Sequence, residues 1–225
     1  MKDPLVSLFI LLILASPSIV FAKTHVQATT TQKTVALTFD DGPYGTSTQE
    51  ILDILKQEGV HATFFLIGKN ALQYPALAKE EVVDGEVVGN HTYDHTKNLT
   101  RMSRQQVDRE LSEAEAAIAS TTGVHATLFR PPYGALTPAL RKMIEARGYK
   151  IALWNVDPKD WDYASSTATV IEKHIMTHLK PHMVIVFHDG RDTQVGYPRD
   201  NTIQALPVII DDLKKLGYTF VTLAQ

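Results

Sequence analysis

Short apolar runs alternate with amphipathic stretches along most of this chain, the pattern that βα units around a parallel sheet produce. The runs predict strands over Thr34–Phe39, Ala62–Ile67, Glu86–Asn90, Thr127–Arg130, Lys150–Asn155, Met183–His188 and Thr219–Leu223. Helices are expected between them. One runs from about Thr48 to Glu58, with Gly59 as its stop, and another lies within Pro75–Asp84. The clearest begins at Ser103, where Ser-Arg-Gln-Gln has the form of a capping box, and sets Val107, Leu111, Ala114 and Ile118 on one face before ending near Gly123. Thr137 and Pro138 make a favoured N-cap and first-turn pair for a fourth, stopped at Gly148. Two more span roughly Ser166–His178 and Thr202–Leu216.

The pattern breaks at the N-terminus. Lys2 precedes an apolar block from Leu5 to Val20 that ends in Phe21-Ala22-Lys23, the shape of a secretory signal peptide over residues 1–22. An uncleaved membrane anchor is the second reading, although Pro17 interrupts the run and it falls short of the ~20 apolar residues that span a bilayer. Residues 23–33 are polar and Thr-rich, a short tether. One domain is therefore expected over 34–225, about two hundred residues with room for a sizeable core. The leader implies a secreted or wall-associated protein, with a membrane involved only if that segment is retained.

Composition narrows the chemistry. A net charge of −3 carries no nucleic-acid footprint, and nothing in the sequence calls for an obligate protein partner. The chain has no cysteine, so disulfides and thiolate ligands drop out and any metal must be held by His, Asp or Glu. That donor set suits a catalytic rather than a structural zinc.

The polar residues fall at one edge. Asp40 and Asp41, Asn90 and His91, Arg130, Asn155 with Asp157, and His188 with Asp189 all lie at the carboxyl ends of predicted strands. In parallel barrels and open α/β sheets that is where active sites assemble. Adjacent carboxylates repel, so Asp40-Asp41 calls for a proton or a cation; an Asp-Asp-Gly-Pro turn chosen for its turn chemistry alone is the simpler alternative.

His91 and His95 are four residues apart, which on a helical turn would aim both imidazoles the same way. With one carboxylate of the Asp pair they would make a triad that leaves positions open for water and substrate. Spacing alone leaves open which of Asp40 and Asp41 is ligand and which takes a proton from water beside the ion. His174, His178 and His182 repeat the spacing but are read as solvated or capping residues. Arg130 would orient the base through a charge-assisted pair, and the stiff Pro131-Pro132-Tyr133 that follows could aim a backbone N–H at an oxyanion. His188 suits a general acid, with Asp160 as its partner. Trp161 is placed to cover a sugar face.

Taken together, these segments resemble the polysaccharide deacetylases of the NodB-homology type, carbohydrate esterase family 4. Thr38-Phe39-Asp40-Asp41, His91-Thr92-Tyr93-Asp94-His95, Arg130-Pro131-Pro132-Tyr133, Asp157-Pro158-Lys159-Asp160-Trp161 and Val186-Phe187-His188 stand in the order of the family's five motifs, within Thr34–Leu223. The resemblance implies a distorted (β/α)7 barrel. It makes Asp40 the base, Asp41, His91 and His95 the metal ligands, Arg130 the base's orienter, Asp160 the acid's partner and His188 the acid. Pro131, Tyr133, Trp161 and Val186 would line the substrate groove, with the Tyr133 N–H at the oxyanion. Val186 departs from the family's more usual leucine and implies a looser acetyl pocket. The implied cofactor is a divalent ion, expected to be zinc, with Co2+, Ni2+ or Mn2+ as alternatives. The implied reaction removes N-acetyl groups from GlcNAc-containing glycans, whether peptidoglycan, chitin or chitooligosaccharide. An O-acetyl xylan esterase and a silent carbohydrate-binding protein on the same scaffold are the rival readings.

Overall fold

The computed structural model describes residues 32–190 and 199–223. The leader expected over 1–22 and the tether as far as residue 31 lie outside them.

Seven strands are present, all paired in parallel: β1 (Thr34–Asp40), β2 (Thr63–Leu66), β3 (Val87–Asn90), β4 (Leu128–Phe129), β5 (Lys150–Ile151), β6 (His182–His188) and β7 (Thr219–Phe220). Their order is β5-β4-β3-β2-β1-β6. Beyond β5 the chain reaches Val156, which bridges to Ile185 of β6 and completes the ring at a single point. The expected (β/α)7 barrel is thus the architecture seen, distorted in two places. The strand predicted over Lys150–Asn155 stops at Ile151 because Asn155 leaves the ladder. Its amide donates to His182 O at 2.9 Å and accepts Val184 N–H at 3.0 Å. The last strand is not a full stave either: it pairs only with Thr34 and Val35, on the edge of β1 that β2 uses farther along.

Around the barrel lie α1 (Gly45–Glu58), α2 (Gly68–Gln73), α3 (Pro75–Val83), α4 (Arg104–Thr122), α5 (Pro138–Glu145), α6 (Ala168–Thr177) and α7 (Asp200–Lys215). Six answer to predicted helices; α2 was not legible in the sequence. The capping box at Ser103 is formed in both directions, Gln106 N–H to Ser103 Oγ at 3.3 Å and Ser103 N–H to Gln106 Oε1 at 2.9 Å. Thr137 caps α5 through Leu140 N–H at 3.2 Å. No described helix is long and apolar enough to cross a membrane.

Strand alternation sorts the residues. Val35, Leu37 and Phe39 of β1 join Phe64, Leu66, Ile185 and Phe187 in the core beneath the helices, where Phe39 stacks on Phe64 at 5.0 Å and on Phe187 at 5.6 Å. With period two, Thr38 and Asp40 must then face the barrel's inside. Burying the outer face pins the register, since a one-residue slip would send Asp40 into the aromatic core.

Candidate active site

The pairing of β1 with β6 sets Asp40 opposite His188 and Thr38 opposite Val186. Both strands end there, so the two functional side chains emerge side by side on the barrel's inner face. Asp41 should point the other way by strand alternation. Its backbone is left-handed (φ 74°), which turns the chain and brings the second carboxylate to the same side as the first. Gly42 follows at close quarters: the Asp189 carboxylate occupies its Cβ position, Oδ2 lying 2.0 Å from where that carbon would be. Only glycine fits.

Arg130 is fully buried. One Nη1 donates to Asp40 Oδ1 at 2.7 Å and to Thr38 Oγ1 at 2.8 Å, while Nε donates to Ala152 O at 3.1 Å. The guanidinium lies over the Phe65 ring at 4.1 Å, so aromatic contact supports an ion that has lost its water. Asp40 Oδ1 is thereby occupied. Its Oδ2 faces the histidines, 3.9 Å from His91 Nε2.

The segment from His91 to His95 is not the helical turn its spacing suggested. Thr92 (φ 70°) and His95 (φ 51°) are left-handed, and the chain between them is a tight loop. It converges the imidazoles all the same. His91 Nε2 and His95 Nε2 lie 3.5 and 3.2 Å from Asp41 Oδ1. His91 Nδ1 donates to Arg130 O at 2.7 Å; a backbone carbonyl can only accept, so Nδ1 carries the proton and Nε2 is left basic. His95 packs on the Tyr133 ring at 4.8 Å.

Asp41, His91 and His95 form the one group among the described residues with three ligand atoms within 4.8 Å of one another. Asp41 Oδ1 is buried and takes no well-directed hydrogen bond. The separations fit a shared ion, because bonds of ~2.0–2.1 Å in a tetrahedral site put ligand atoms about 3.3–3.4 Å apart. Burial works to raise the Asp41 carboxyl, but His91, His95 and His188 outweigh it and hold it well below the usual carboxylate range.

His188 completes the cluster. Its Nδ1 meets Asp160 Oδ1 at 2.7 Å, and its own N–H donates to Asp160 Oδ2 at 2.9 Å. Thr202 Oγ1 donates to that same oxygen at 2.9 Å. Burial lowers the imidazole, yet the Asp160 carboxylate, in charge and in hydrogen bond, pushes it up to about 9. Val186 is buried two residues before it. Trp161 and Tyr133 are half exposed, Pro131 is buried, and the Tyr133 backbone is also left-handed (φ 58°).

Asn155 and Asp157 do not join this cluster. Asn155 braces the start of β6, and Asp157 Oδ1 accepts the Lys159 N–H at 2.8 Å in a turn. His174 and His178 stack on each other at 4.1 Å on α6, away from a third ligand. His182 instead opens β6 and meets Thr34 Oγ1 at 2.9 Å. Two contributors carried no sequence signal: Thr202 and Arg199 (Nη2 4.0 Å from Asp41 Oδ2). Asp189, at the strand end where the sequence placed it, accepts from Thr48 Oγ1 at 2.5 Å.

The parallel barrel brings an Asp-His-His cluster that could hold a metal together with a carboxylate–arginine pair and a carboxylate–histidine pair. The family model for polysaccharide deacetylases matches residues 27–152, more than half of the sequence, and the chain belongs to that family. It is 36% identical over 195 residues to the peptidoglycan-N-acetylglucosamine deacetylase PgdA of Listeria monocytogenes, covering 87% of this chain and 39% of that protein. It is 34% identical to a peptidoglycan-N-acetylglucosamine deacetylase of Bacillus cereus, covering 86% and 88%. A solved peptidoglycan N-acetylglucosamine deacetylase superposes with a TM-score of 0.79 at 35% identity, covering 85% of this chain and 86% of that one. The chain thus spans well under half the length of the Listeria relative.

Proposed function

We propose that this protein hydrolyses N-acetyl groups on GlcNAc-containing glycans, releasing acetate, with peptidoglycan the first substrate to test and chitooligosaccharide the second. The observation that carries this reading is the placement of Asp40 and His188, opposite each other in the β1–β6 register and beside the Asp41-His91-His95 cluster. A divalent cation held by those three residues would polarise the amide carbonyl and acidify a water. Zinc is the ion we expect, since two imidazoles and a carboxylate suit it, though such donors also take Co2+, Ni2+ or Mn2+.

The rest is the work of the chain. Arg130 fixes Asp40 through Oδ1, leaving Oδ2 to accept the proton of the attacking water. Tyr133, whose ring packs on His95, donates its backbone N–H to the oxyanion as the carbonyl becomes tetrahedral. Asp160 holds the His188 proton on Nδ1, so Nε2–H faces the cleft and protonates the amide nitrogen as the C–N bond breaks. Acetate and a free amine leave. The half-exposed Trp161 covers a sugar face, and Val186 bounds the acetyl methyl. The leader pattern of residues 1–22 and a wall polymer as substrate both support an activity outside the cytoplasm.

Acetate release from de-crosslinked peptidoglycan, chitopentaose and acetylated xylan tests the proposal. Release from either N-acetyl glycan supports it, and release from xylan alone would make the protein an O-acetyl esterase.

A further inference from the structure

We propose that Glu110, on α4 and outside every motif, is a positioning residue that holds the two histidine ligands in place; this rests on the metal reading above. The His91–His95 loop is strained. A β-branched threonine at φ 70° and a histidine at φ 51° are conformations that side-chain-bearing residues rarely adopt and that surrounding structure must impose.

The source of that imposition is visible in the loop's backbone groups. Its carbonyls are tied to α2: Thr92 O accepts Gly68 N–H at 3.0 Å and Tyr93 O accepts Lys69 N–H at 3.1 Å. Its N–H groups turn the opposite way. Thr92 N–H goes to Asn90 Oδ1 at 2.8 Å and His95 N–H to Thr92 Oγ1 at 3.1 Å, both from within β3 and the loop. The two in the middle, Tyr93 and Asp94, converge on a single atom, Glu110 Oε2, at 3.1 Å each. Successive N–H groups in a chain that passes through left-handed residues form a concavity suited to an anion. Here a side chain of another helix supplies that anion. Hydrogen bonds to a carboxylate are roughly twice as strong as neutral ones.

Lys69 reinforces the arrangement, pairing with Asp94 and lying 5.6 Å over the Tyr93 ring. The loop is therefore clamped between α2, which holds its carbonyls, and Glu110, which holds its central amides. Both ligands sit at the ends of the clamped stretch, His91 before it and His95 after. Releasing the middle frees the direction of both imidazoles without removing a ligand.

Groups that orient metal ligands typically change affinity by about 10–100-fold when lost. Zinc affinity of the full chain, measured by competition against a chromophoric chelator, is expected to weaken by that factor in Glu110→Ala. Amide exchange at Tyr93 and Asp94 in the zinc-free protein should quicken in the same variant. Glu110→Gln keeps an oxygen that can accept both N–H groups and should fall between the two. At saturating zinc, kcat should return towards the wild-type value, whereas a general loss of fold would not respond to metal. Equal zinc affinity and unchanged Tyr93 and Asp94 exchange in Glu110→Ala would overturn the role of Glu110 alone. If that variant does not fold, Glu110→Gln decides, and wild-type behaviour there overturns it equally. A wild-type chain that binds no zinc would overturn the metal reading and the role of Glu110 with it.

Discussion

Asp40 and His188 are register partners, the last pair of the β1–β6 ladder, and their side chains leave the sheet on the same inner face. The proposed base and acid are thus spaced by a strand pairing that the Phe39–Phe187 stack on the other face secures. Asp40→Asn keeps the shape and loses the proton acceptor. It should lower turnover by about a hundred- to ten-thousand-fold, the usual worth of a positioned base, with metal content unchanged. His91→Ala should lose turnover and metal together. Metal analysis beside the rate assay separates the two.

On the proposed mechanism Asp160 sets the alkaline limit of activity. The proposed acid, His188, would work while protonated, and its imidazole is pushed up to about 9 by Asp160. Activity should hold on the acid side of that value and fall as pH rises through it. Asp160→Asn removes the charge that raises the imidazole, so the alkaline limb of the kcat profile should move to lower pH. A limb that stays in place would show that another group sets it.

Arg130 is not replaceable by lysine. Its fork reaches Asp40, Thr38 and the Ala152 carbonyl at once, and an ammonium cannot reproduce that geometry. Lysine keeps the charge but cannot donate to all three acceptors, and a buried acceptor left unsatisfied costs about 1–3 kcal/mol. Arg130→Lys should lose stability on that scale in urea unfolding and most of its activity under conditions where it remains folded.

Glu81 gives stability a pH dependence of its own. It is fully buried on α3, and neither carboxylate oxygen meets a partner among the described residues. Burial foremost, then the charges of Asp189 and Glu86, raises its carboxyl well above 4.5. The protonated form is the one the fold prefers, so its contribution is full below the unfolded value near 4.5 and is lost as pH rises through the folded value. Glu81→Leu removes the burden and should stabilise the protein at pH 8 by about 1–3 kcal/mol, the penalty of an unsatisfied buried polar group, with a much smaller gain at pH 4.5. Thermal unfolding of both proteins at the two pH values gives the comparison.

What was legible in the sequence follows from which interactions are local. β1 and β6 read clearly because an apolar run ends in a charged residue at a strand tip, and a strand tip in a parallel barrel is also a site. The Ser103 and Thr137 caps read clearly because each is decided within three residues. β5 did not, since Asn155 departs to brace β6, a partner far along the chain. The spacing of His91 and His95 pointed to a cluster that the structure does bring together, but through the wrong conformation: a helical turn and a left-handed loop both bring residues four apart together. Thr202 and Glu110 were illegible because each acts on a group supplied by another element, and only the folded chain makes them neighbours; Asp189 was visible at a strand end, but its partner Thr48 was not.

The central claim is that a cation on Asp41, His91 and His95 is required for deacetylation. The most direct test strips the full chain with chelator, then measures acetate release from de-crosslinked peptidoglycan as zinc is added back. Release should be absent from the stripped protein and rise to a plateau at one zinc per chain, with His91→Ala giving none at the same concentrations. Undiminished release from protein shown to be free of metal would contradict the account.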